Sequence, residues 1–439
     1  MGYRQLVRYP QAQATMDFQG VSHRYLPALD GLRAVAVASV FAFHLGLAHF
    51  GGGFLGVDVF FVLSGFLITS LLVEERASAG RIRLPAFWGR RARRLLPAVF
   101  AVLAVVSAYA WAGGPGVDVQ TLRPDAISTL FYFANWHFWF SQQPYFSQFV
   151  ALSPLMHTWS LAIEEQFYLL WPLILVGLLH VRRRGRHSGR SAPSAKGRAL
   201  AVTLVLAAAS AAWMAALYHG PATQDRAYYG TDARAFELLV GAALALALWG
   251  TRGVSGRALG ALRAGAWAGA GVLAYLIATL SGREAWMYRG GFVLAALASA
   301  LIIASSVHGS GGPIGKVLSL RPVRWVGKVS YGIYLWHWVV IDLVTEGNLG
   351  VGGWRLKVVQ VAITLAVATL SFYLLEQPVR RLRLPDWRRF ALAPAGAAAT
   401  LAVVLAGTVP VAQASSAPPP ALAASRQAPL PGAEPASAR

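Results

Sequence analysis

Apolar runs long enough to cross a lipid bilayer recur along most of this chain, and they constrain its fold more than any other feature. Hydrophobic residues make up 56% of the 439 residues, charged residues make up only 13%, and the mean hydropathy is +0.50. A soluble protein of this length is more polar, whereas about 20 apolar residues in a helix match the hydrocarbon core of a membrane. The sequence therefore predicts an all-α integral membrane protein, a polytopic bundle of about 11 transmembrane helices. The predicted spans lie near residues 28–50, 54–73, 95–112, 155–180, 199–218, 234–249, 264–281, 291–307, 329–346, 356–376 and 390–412.

The 39 lysine and arginine residues give a net charge of +21, and their distribution along the chain is informative. If the N-terminus is cytoplasmic, the inner segments carry 29 of them, the outer segments with the C-terminal tail carry 9, and Arg33 lies within the first span. Because cytoplasmic loops are enriched in Lys and Arg, this asymmetry predicts a cytoplasmic N-terminus and an extracytoplasmic C-terminus. The basicity thus reflects topology and contact with anionic lipid, and we expect no nucleic-acid partner. The lack of cysteine excludes disulfides, thiol nucleophiles and thiolate metal sites.

The first predicted span carries polar side chains that a membrane anchor does not need. Arg33 and His44 are eleven residues apart, so on a helix they share one face and lie about 16 Å apart. Asp58 follows the glycine turn at 51–53, and a tight hairpin would bring it to the depth of His44. The sequence therefore predicts a catalytic site in which His44 is the base, Asp58 orients it, and Arg33 provides a cation on the same helix as His44. Alternatively, His44 is a hydrogen-bonded packing residue and Arg33 an anchor whose guanidinium reaches lipid phosphates.

An arginine cluster precedes the third predicted span, and its members Arg90, Arg91 and Arg94 have two interpretations. They are a topology signal at the inner membrane surface, or they bind a phosphate-bearing cytosolic acyl donor. Forked guanidinium groups match phosphate oxygens. The sequence alone does not decide between these interpretations.

A polar stripe occupies the start of the fourth predicted span. His157, Ser160, Glu164 and Tyr168 fall at positions i, i+3, i+7 and i+11, which lie on one face of a helix. Glu165 adds a second carboxylate beside the first. Each intramembrane carboxylate costs roughly 2.5–3.5 kcal/mol on insertion scales, so the pair predicts a polar cavity. The alternative is an ion pair with an arginine of another helix.

Two later spans add candidates for the acceptor side of that cavity. Asp232 and Arg234 open the sixth span, although Asp232 could equally cap the helix. Tyr331, Tyr334 and His337 place two phenols and an imidazole in the ninth span. We expect no metal site.

Several of these segments, taken together and in order, resemble the acyltransferase 3 family of bacterial integral-membrane O-acyltransferases. The resemblance covers about residues 25–380, and the number of ordered motifs makes it specific. The motifs are Arg33-x10-His44, residues 56–66 (GVDVFFVLSGF), Arg90-Arg91-x-x-Arg94-x-x-Pro97, residues 157–168 (HTWSLAIEEQFY), Asp232-x-Arg234, residues 330–337 (SYGIYLWH) and Glu376-x-Pro378.

The resemblance implies transfer of an acyl group, usually acetyl, from cytosolic acyl-CoA to a hydroxyl of a carbohydrate or lipid-linked glycan. It implies His44 as the catalytic imidazole and Arg33 as its essential partner, in a protein of the bacterial inner membrane. Acetyl-CoA would be a co-substrate, with no permanently bound cofactor. The acceptor stays open between an envelope glycan, a glycolipid and a glycosylated metabolite.

This interpretation divides the chain into four parts. Residues 1–25 form a cytoplasmic lead, residues 26–380 the transmembrane acyltransferase domain, residues 390–412 an additional helix and residues 413–439 a disordered extracytoplasmic tail. An eleventh span resembles family members that are fused to an extracytoplasmic SGNH-type esterase domain. A tail of about 27 residues is too short for such a domain, so we expect a separate extracytoplasmic esterase or transferase to complete any second step.

A transporter or flippase of a glycolipid or acylated small molecule is the rival from another class, because it would use the same buried polar groups as a substrate path. Consumption of acyl-CoA by the purified protein, with a hydroxylated acceptor present, separates the two.

Overall fold

The computed structural model describes residues 25–146, 153–180, 194–251, 254–308, 312–382 and 386–408. Within these ranges every regular element is helical, which confirms the predicted all-α class. The α-helices are α1 (Pro27–His44), α2 (Gly56–Ala79), α3 (Leu84–Trp111), α4 (Val119–Leu130), α5 (Ala134–Phe140), α6 (Trp159–His180), α7 (Ala195–Leu217), α8 (Pro221–Tyr229), α9 (Thr231–Leu248), α10 (Gly256–Thr279), α11 (Phe292–His308), α12 (Gly312–Leu318), α13 (Arg321–Leu343), α14 (Glu346–Leu349), α15 (Gly353–Ser371), α16 (Gln377–Arg381) and α17 (Asp386–Gly407). Short 3₁₀ turns at Gly53–Leu55 and Met156–Thr158 precede α2 and α6, and π-helical turns at Met287–Gly291 and Phe372–Glu376 precede α11 and α16.

Each predicted apolar run coincides over most of its length with one of the long helices, namely α1, α2, α3, α6, α7, α9, α10, α11, α13, α15 and α17. The first run was expected to continue to residue 50, but α1 ends at His44. In the described part of the chain, seven helices are long and apolar enough to cross a membrane: α2, α3, α6, α7, α10, α11 and α15. The helices α1, α9 and α13 are not among these seven, and each of them carries ionisable side chains. Eleven crossings and the orientation of the termini therefore stay predictions.

Two sequence expectations concern segments near the helix ends. The third run was expected near residues 95–112, but α3 begins at Leu84, with Pro85 in its first turn, so the arginine cluster lies on the helix and not in a preceding loop. Residues 1–24 of the predicted lead and the whole predicted tail lie outside the described residues.

Glycines allow the helices around the site to pack backbone against backbone. α1 packs against both α13 and α2, and α2 packs against α9. A Cβ atom at Gly327 of α13 would overlap the backbone oxygen of Asp30 in α1, and one at Gly56 of α2 would overlap that of Ala36. The close approach of α1 to both partners therefore depends on residues without side chains.

The contact between α2 and α9 gives a stability prediction. A Cβ at Gly241 would overlap the backbone oxygen of Val62, whereas Gly89 in α3 has open space around it. We expect Gly241→Ala to destabilise the fold by about 1–3 kcal/mol through overpacking. The matched control Gly89→Ala should be neutral or stabilising by up to about 1 kcal/mol, because alanine is the better helix former. Thermal unfolding in detergent measures both, and equal unfolding temperatures for the two variants would contradict the packing argument.

Candidate functional site

A polar cavity lies where five helices meet, α1, α2, α3, α6 and α13. Eight of the residues predicted from the sequence line it: Arg33, Arg91, Arg94, Ser160, Glu164, Tyr168, Tyr331 and Tyr334. Ser64 and Ser330 add hydroxyls, and apolar side chains such as Phe60 and Leu63 complete the wall. The cavity that was expected from the polar stripe of α6 is therefore present, and it gathers residues that are far apart in the sequence.

Hydroxyl groups hold the carboxylate of Glu164 in this cavity. Ser64 Oγ donates to Oε1 of Glu164 at 2.8 Å, and the Tyr168 hydroxyl donates to Oε2 at 3.3 Å. The Tyr168 hydroxyl also lies 2.9 Å from Ser64 Oγ. No ion pair joins Glu164 to an arginine among the described residues, so the structure favours the cavity over the alternative of an interhelical ion pair. The adjacent Glu165 does not line the cavity.

The arginine cluster divides between two environments. Arg91 and Arg94 are three residues apart on α3, so they share one face, and they join Arg33 in the cavity wall. Arg91 also lies over the rings of Phe87 and Tyr168, with its Cζ 5.7 and 5.8 Å from their centroids. None of these three arginines forms an ion pair with a carboxylate among the described residues. With three arginines and one carboxylate, that of Glu164, the cavity wall carries net positive charge.

Arg90 points elsewhere. Its Nη2 lies 3.3 Å from Oε2 of Glu75 on α2, and it does not line the cavity. The expectation that all three arginines face one donor is thus wrong for Arg90, because one residue of helix turns a side chain by about 100°.

A cluster of three histidines lies next to the cavity. His44 ends α1, and its Nδ1 is 2.9 Å from Nε2 of His337 on α13. The ring of His157 is 5.7 Å from that of His337, centroid to centroid. The Tyr334 hydroxyl, which lines the cavity, donates to the backbone oxygen of His157 at 2.9 Å and lies 2.6 Å from Ser160 Oγ. Tyr334 and Ser160 thus separate the cavity from the histidines by one layer of side chains.

The second ring nitrogen of His44 faces a tyrosine that the sequence analysis missed. The Tyr145 hydroxyl lies 3.1 Å from Nε2 of His44. Tyr145 is in the loop after α5, and Asp225 of α8 accepts a hydrogen bond from its backbone N–H at 3.3 Å. Burial raises the pKa of the Tyr145 hydroxyl, so it stays protonated. An isolated tyrosine in an irregular segment has no periodicity that would have singled it out.

The expected pairing of His44 with Asp58 is wrong. Both ring nitrogens of His44 have other partners, and Asp58 Oδ2 lies 3.3 Å from Nη2 of Arg234. Nη1 of Arg234 is 3.3 Å from Oε1 of Glu237, one turn further along α9. All three side chains of this buried triad are 0% exposed. A hairpin argument matches depth along the membrane normal, but it does not fix which neighbouring helix an acid faces.

Aromatic rings enclose the guanidinium of Arg234. Its Cζ lies 4.5 Å from the ring centroid of Phe292 and 4.9 Å from that of Tyr228, and Phe61 and Trp159 follow at 5.7 Å. Two carboxylates and four rings stabilise this buried cation. Arg234 therefore joins α2 to α9. The expectation that it lines the cavity is wrong.

Asp232 also lies outside the cavity. Its carboxylate accepts two hydrogen bonds from Arg226, at 2.9 and 2.5 Å, and one from Nε1 of Trp213 at 2.7 Å. The Arg226 guanidinium lies over the rings of Trp136 and Trp139, at 5.2 and 5.1 Å. The contacts of Asp232 are those of a side chain that joins α7, α8 and α9.

No group of three or more potential metal ligands occurs within the described ranges. The chemistry available from the described side chains is proton transfer at the histidines and anion binding at the arginines. A site of this kind can move an acyl group between a phosphate-bearing donor and a hydroxyl.

The family comparison agrees with this chemistry. A family model described as an acyltransferase domain matches residues 26–405, and the chain belongs to this acyltransferase family. The family membership and the seven apolar helices indicate a multi-pass protein of the bacterial cell membrane.

Three relatives narrow the class. The chain is 41% identical to YrhL of Bacillus subtilis (strain 168), in an alignment that covers 82% of this chain and 55% of that protein. It is 39% identical to the peptidoglycan O-acetyltransferase OatA of Listeria monocytogenes serovar 1/2a (strain ATCC BAA-679 / EGD-e), covering 82% and 56%. Identity to the O-acetyltransferase OatA of Staphylococcus aureus (strain NCTC 8325 / PS 47) is 37%, covering 87% and 61%. The chain therefore spans between half and two thirds of the length of these relatives. No solved structure matches it.

Proposed function

We propose that this protein transfers an acetyl group from acetyl-CoA to a hydroxyl of an envelope glycan, with the donor entering from the cytoplasmic side. The observation that carries the proposal is a cavity with three unpaired arginines in its wall and a histidine cluster one side-chain layer beyond its polar floor. CoA carries its phosphates at one end and its thioester at the other. The phosphates of such a donor match the arginines of the cavity wall, and its thioester matches the histidine cluster.

The length of α1 supports the match. Arg33 lies in the cavity wall and His44 is the last residue of the same helix, so the two side chains are about 16 Å apart along the helix axis. The phosphates would bind Arg33, Arg91 and Arg94 through charge-assisted hydrogen bonds. The thioester would then approach His44 past Tyr334 and Ser160.

His44 is the proposed general base. Its Nε2 takes the proton of the acceptor hydroxyl, whose oxygen attacks the carbonyl carbon of the thioester. The tetrahedral intermediate collapses with cleavage of the carbon–sulfur bond, and the CoA sulfur leaves with the proton that His44 held. A positioned histidine contributes roughly 10²–10⁴-fold to such a step.

The relatives' names favour peptidoglycan among the acceptors, since OatA of Listeria monocytogenes is named a peptidoglycan O-acetyltransferase. A separate extracytoplasmic esterase or transferase is the proposed partner for any second transfer step. Mass spectrometry of peptidoglycan, surface polysaccharide and glycolipid from a deletion strain tests the acceptor. We expect loss of O-acetyl groups from peptidoglycan, and an unchanged acetyl content in every envelope fraction would contradict the proposal.

Donor binding should depend on which face of α3 an arginine occupies. We expect the double variant Arg91→Gln, Arg94→Gln to weaken acetyl-CoA binding at least tenfold, because each charge-assisted hydrogen bond is worth about 1.5–3 kcal/mol. Arg90→Gln is the matched control, since Arg90 pairs with Glu75 outside the cavity, and its affinity should stay within about twofold of the unmodified protein. Calorimetric titration in detergent measures the three affinities. An equal loss of acetyl-CoA affinity in both variants would show that the arginine cluster is a general membrane-surface feature and not a donor-binding site.

A further inference from the structure

The hydrogen bonds of His337 fix the position of its own proton. Its Nδ1 lies 2.5 Å from the backbone oxygen of Tyr334, one turn earlier on α13. A carbonyl oxygen can only accept, so Nδ1 of His337 carries the hydrogen. In a neutral imidazole the other nitrogen is then an acceptor, and this Nε2 faces His44.

The tautomer of His337 determines the tautomer of His44. Nδ1 of His44 lies 2.9 Å from the acceptor Nε2 of His337, so Nδ1 of His44 must be the donor. Nε2 of His44 is left with its lone pair, and the Tyr145 hydroxyl at 3.1 Å donates to it. The chain of bonds is consistent at every atom, and it selects one tautomer of His44.

Both rings are neutral in this arrangement. The His337 side chain is 0% exposed, and it packs against the rings of Phe41 and Tyr334, at 5.5 and 5.4 Å between centroids. No carboxylate forms a hydrogen bond or ion pair with either ring among the described residues. A buried imidazolium without a counter-charge is costly, and two touching imidazoles do not both become charged.

We propose that His337 is a positioning residue, which holds His44 in the tautomer whose Nε2 lone pair faces the acceptor hydroxyl. This rests on the proposed function, in which His44 is the base. The carbonyl of Tyr334 anchors the tautomer from a helix backbone, in the place that a carboxylate takes in other base–orienter pairs. The Tyr145 hydroxyl occupies the lone pair in the resting protein, and the acceptor hydroxyl takes the same position when it gives up its proton.

The tautomer can be read without any acyl transfer. We label the full chain with ¹⁵N-histidine in detergent and assign the His44 signals by their loss in His44→Asn. We expect a protonated Nδ1 and an unprotonated Nε2 for His44. In His337→Phe, which keeps a ring in the aromatic pocket but offers no acceptor, we expect this preference to be lost. Unchanged His44 signals in His337→Phe, or a protonated Nε2 in the unmodified protein, would overturn the proposal.

Kinetics gives the second readout. We expect His337→Phe to lower kcat by about 10²-fold or more, as wrong-tautomer variants of other base–orienter pairs do, while KM for acetyl-CoA stays within about twofold. His337→Gln, whose amide oxygen can accept from His44 Nδ1, should recover part of kcat. If His337→Phe does not fold, the unmodified protein still decides, because a protonated Nε2 of His44 in it would contradict the assignment. The expected tautomer together with no acyl transfer would refute the proposed function and leave the tautomer assignment standing.

Discussion

Replacing Arg234 with methionine is expected to cost about 3–5 kcal/mol and to leave little folded protein. The substitution removes the cation that lies 3.3 Å from both Asp58 and Glu237, and it leaves two carboxylates 0% exposed without a partner. Methionine fills much of the volume, so the loss reports the missing charge and not a cavity. Size-exclusion chromatography and thermal unfolding in detergent measure the effect.

A compensating variant separates charge from packing. Arg234→Met combined with Asp58→Asn and Glu237→Gln has no unpaired ion, and we expect it to recover most of the folded yield. Replacing a buried ion network by neutral groups is often close to neutral in stability. A single Arg234→Met variant with the unfolding temperature of the unmodified protein would show that the triad does not stabilise the packing of α2 on α9.

Replacing His44 with asparagine is expected to reduce acyl transfer by roughly 10²–10⁴-fold, because an amide cannot take the proton of the acceptor hydroxyl. Expression and helix content should stay close to those of the unmodified protein. His49→Asn is the matched control: His49 is exposed on the loop that follows α1 and has φ of 62°, a conformation that asparagine tolerates. Transfer rates are measured in the same membranes. A His44→Asn variant with full activity would remove His44 from the chemistry.

Much of the fold follows from the sequence because apolar periodicity and length act locally. Each of the eleven predicted runs corresponds to a helix, and residues 51–53 lie in the connection between α1 and α2, although that connection already begins after His44. The polar stripe of α6 also indicated the cavity, since a helical face is a local property. Ser160, Glu164 and Tyr168, which were predicted to lie on that face, line the cavity together in the structure.

The contact partners of individual side chains could not be predicted from the sequence, because they depend on which helices pack together. Asp58 meets Arg234, which is 176 residues later in the chain, and no local spacing relates the two. His337 was a candidate for the acceptor side, but its contact with His44 requires the close approach of α13 to α1 that Gly327 permits. Tyr145 completes the bonding of His44 from a loop without a recognisable pattern.

The most direct test of transfer from the arginine-lined cavity to His44 uses sealed vesicles that contain the purified protein in one orientation. Acetyl-CoA with a labelled acetyl group is added on the side of Arg91 and Arg94. A soluble peptidoglycan fragment is enclosed on the other side, together with the proposed separate transferase. We predict alkali-labile label on the enclosed glycan, with release of CoA on the donor side, and loss of both in His44→Asn. Label on the glycan only when donor and acceptor share one side, or no release of CoA in the unmodified protein, would contradict the account.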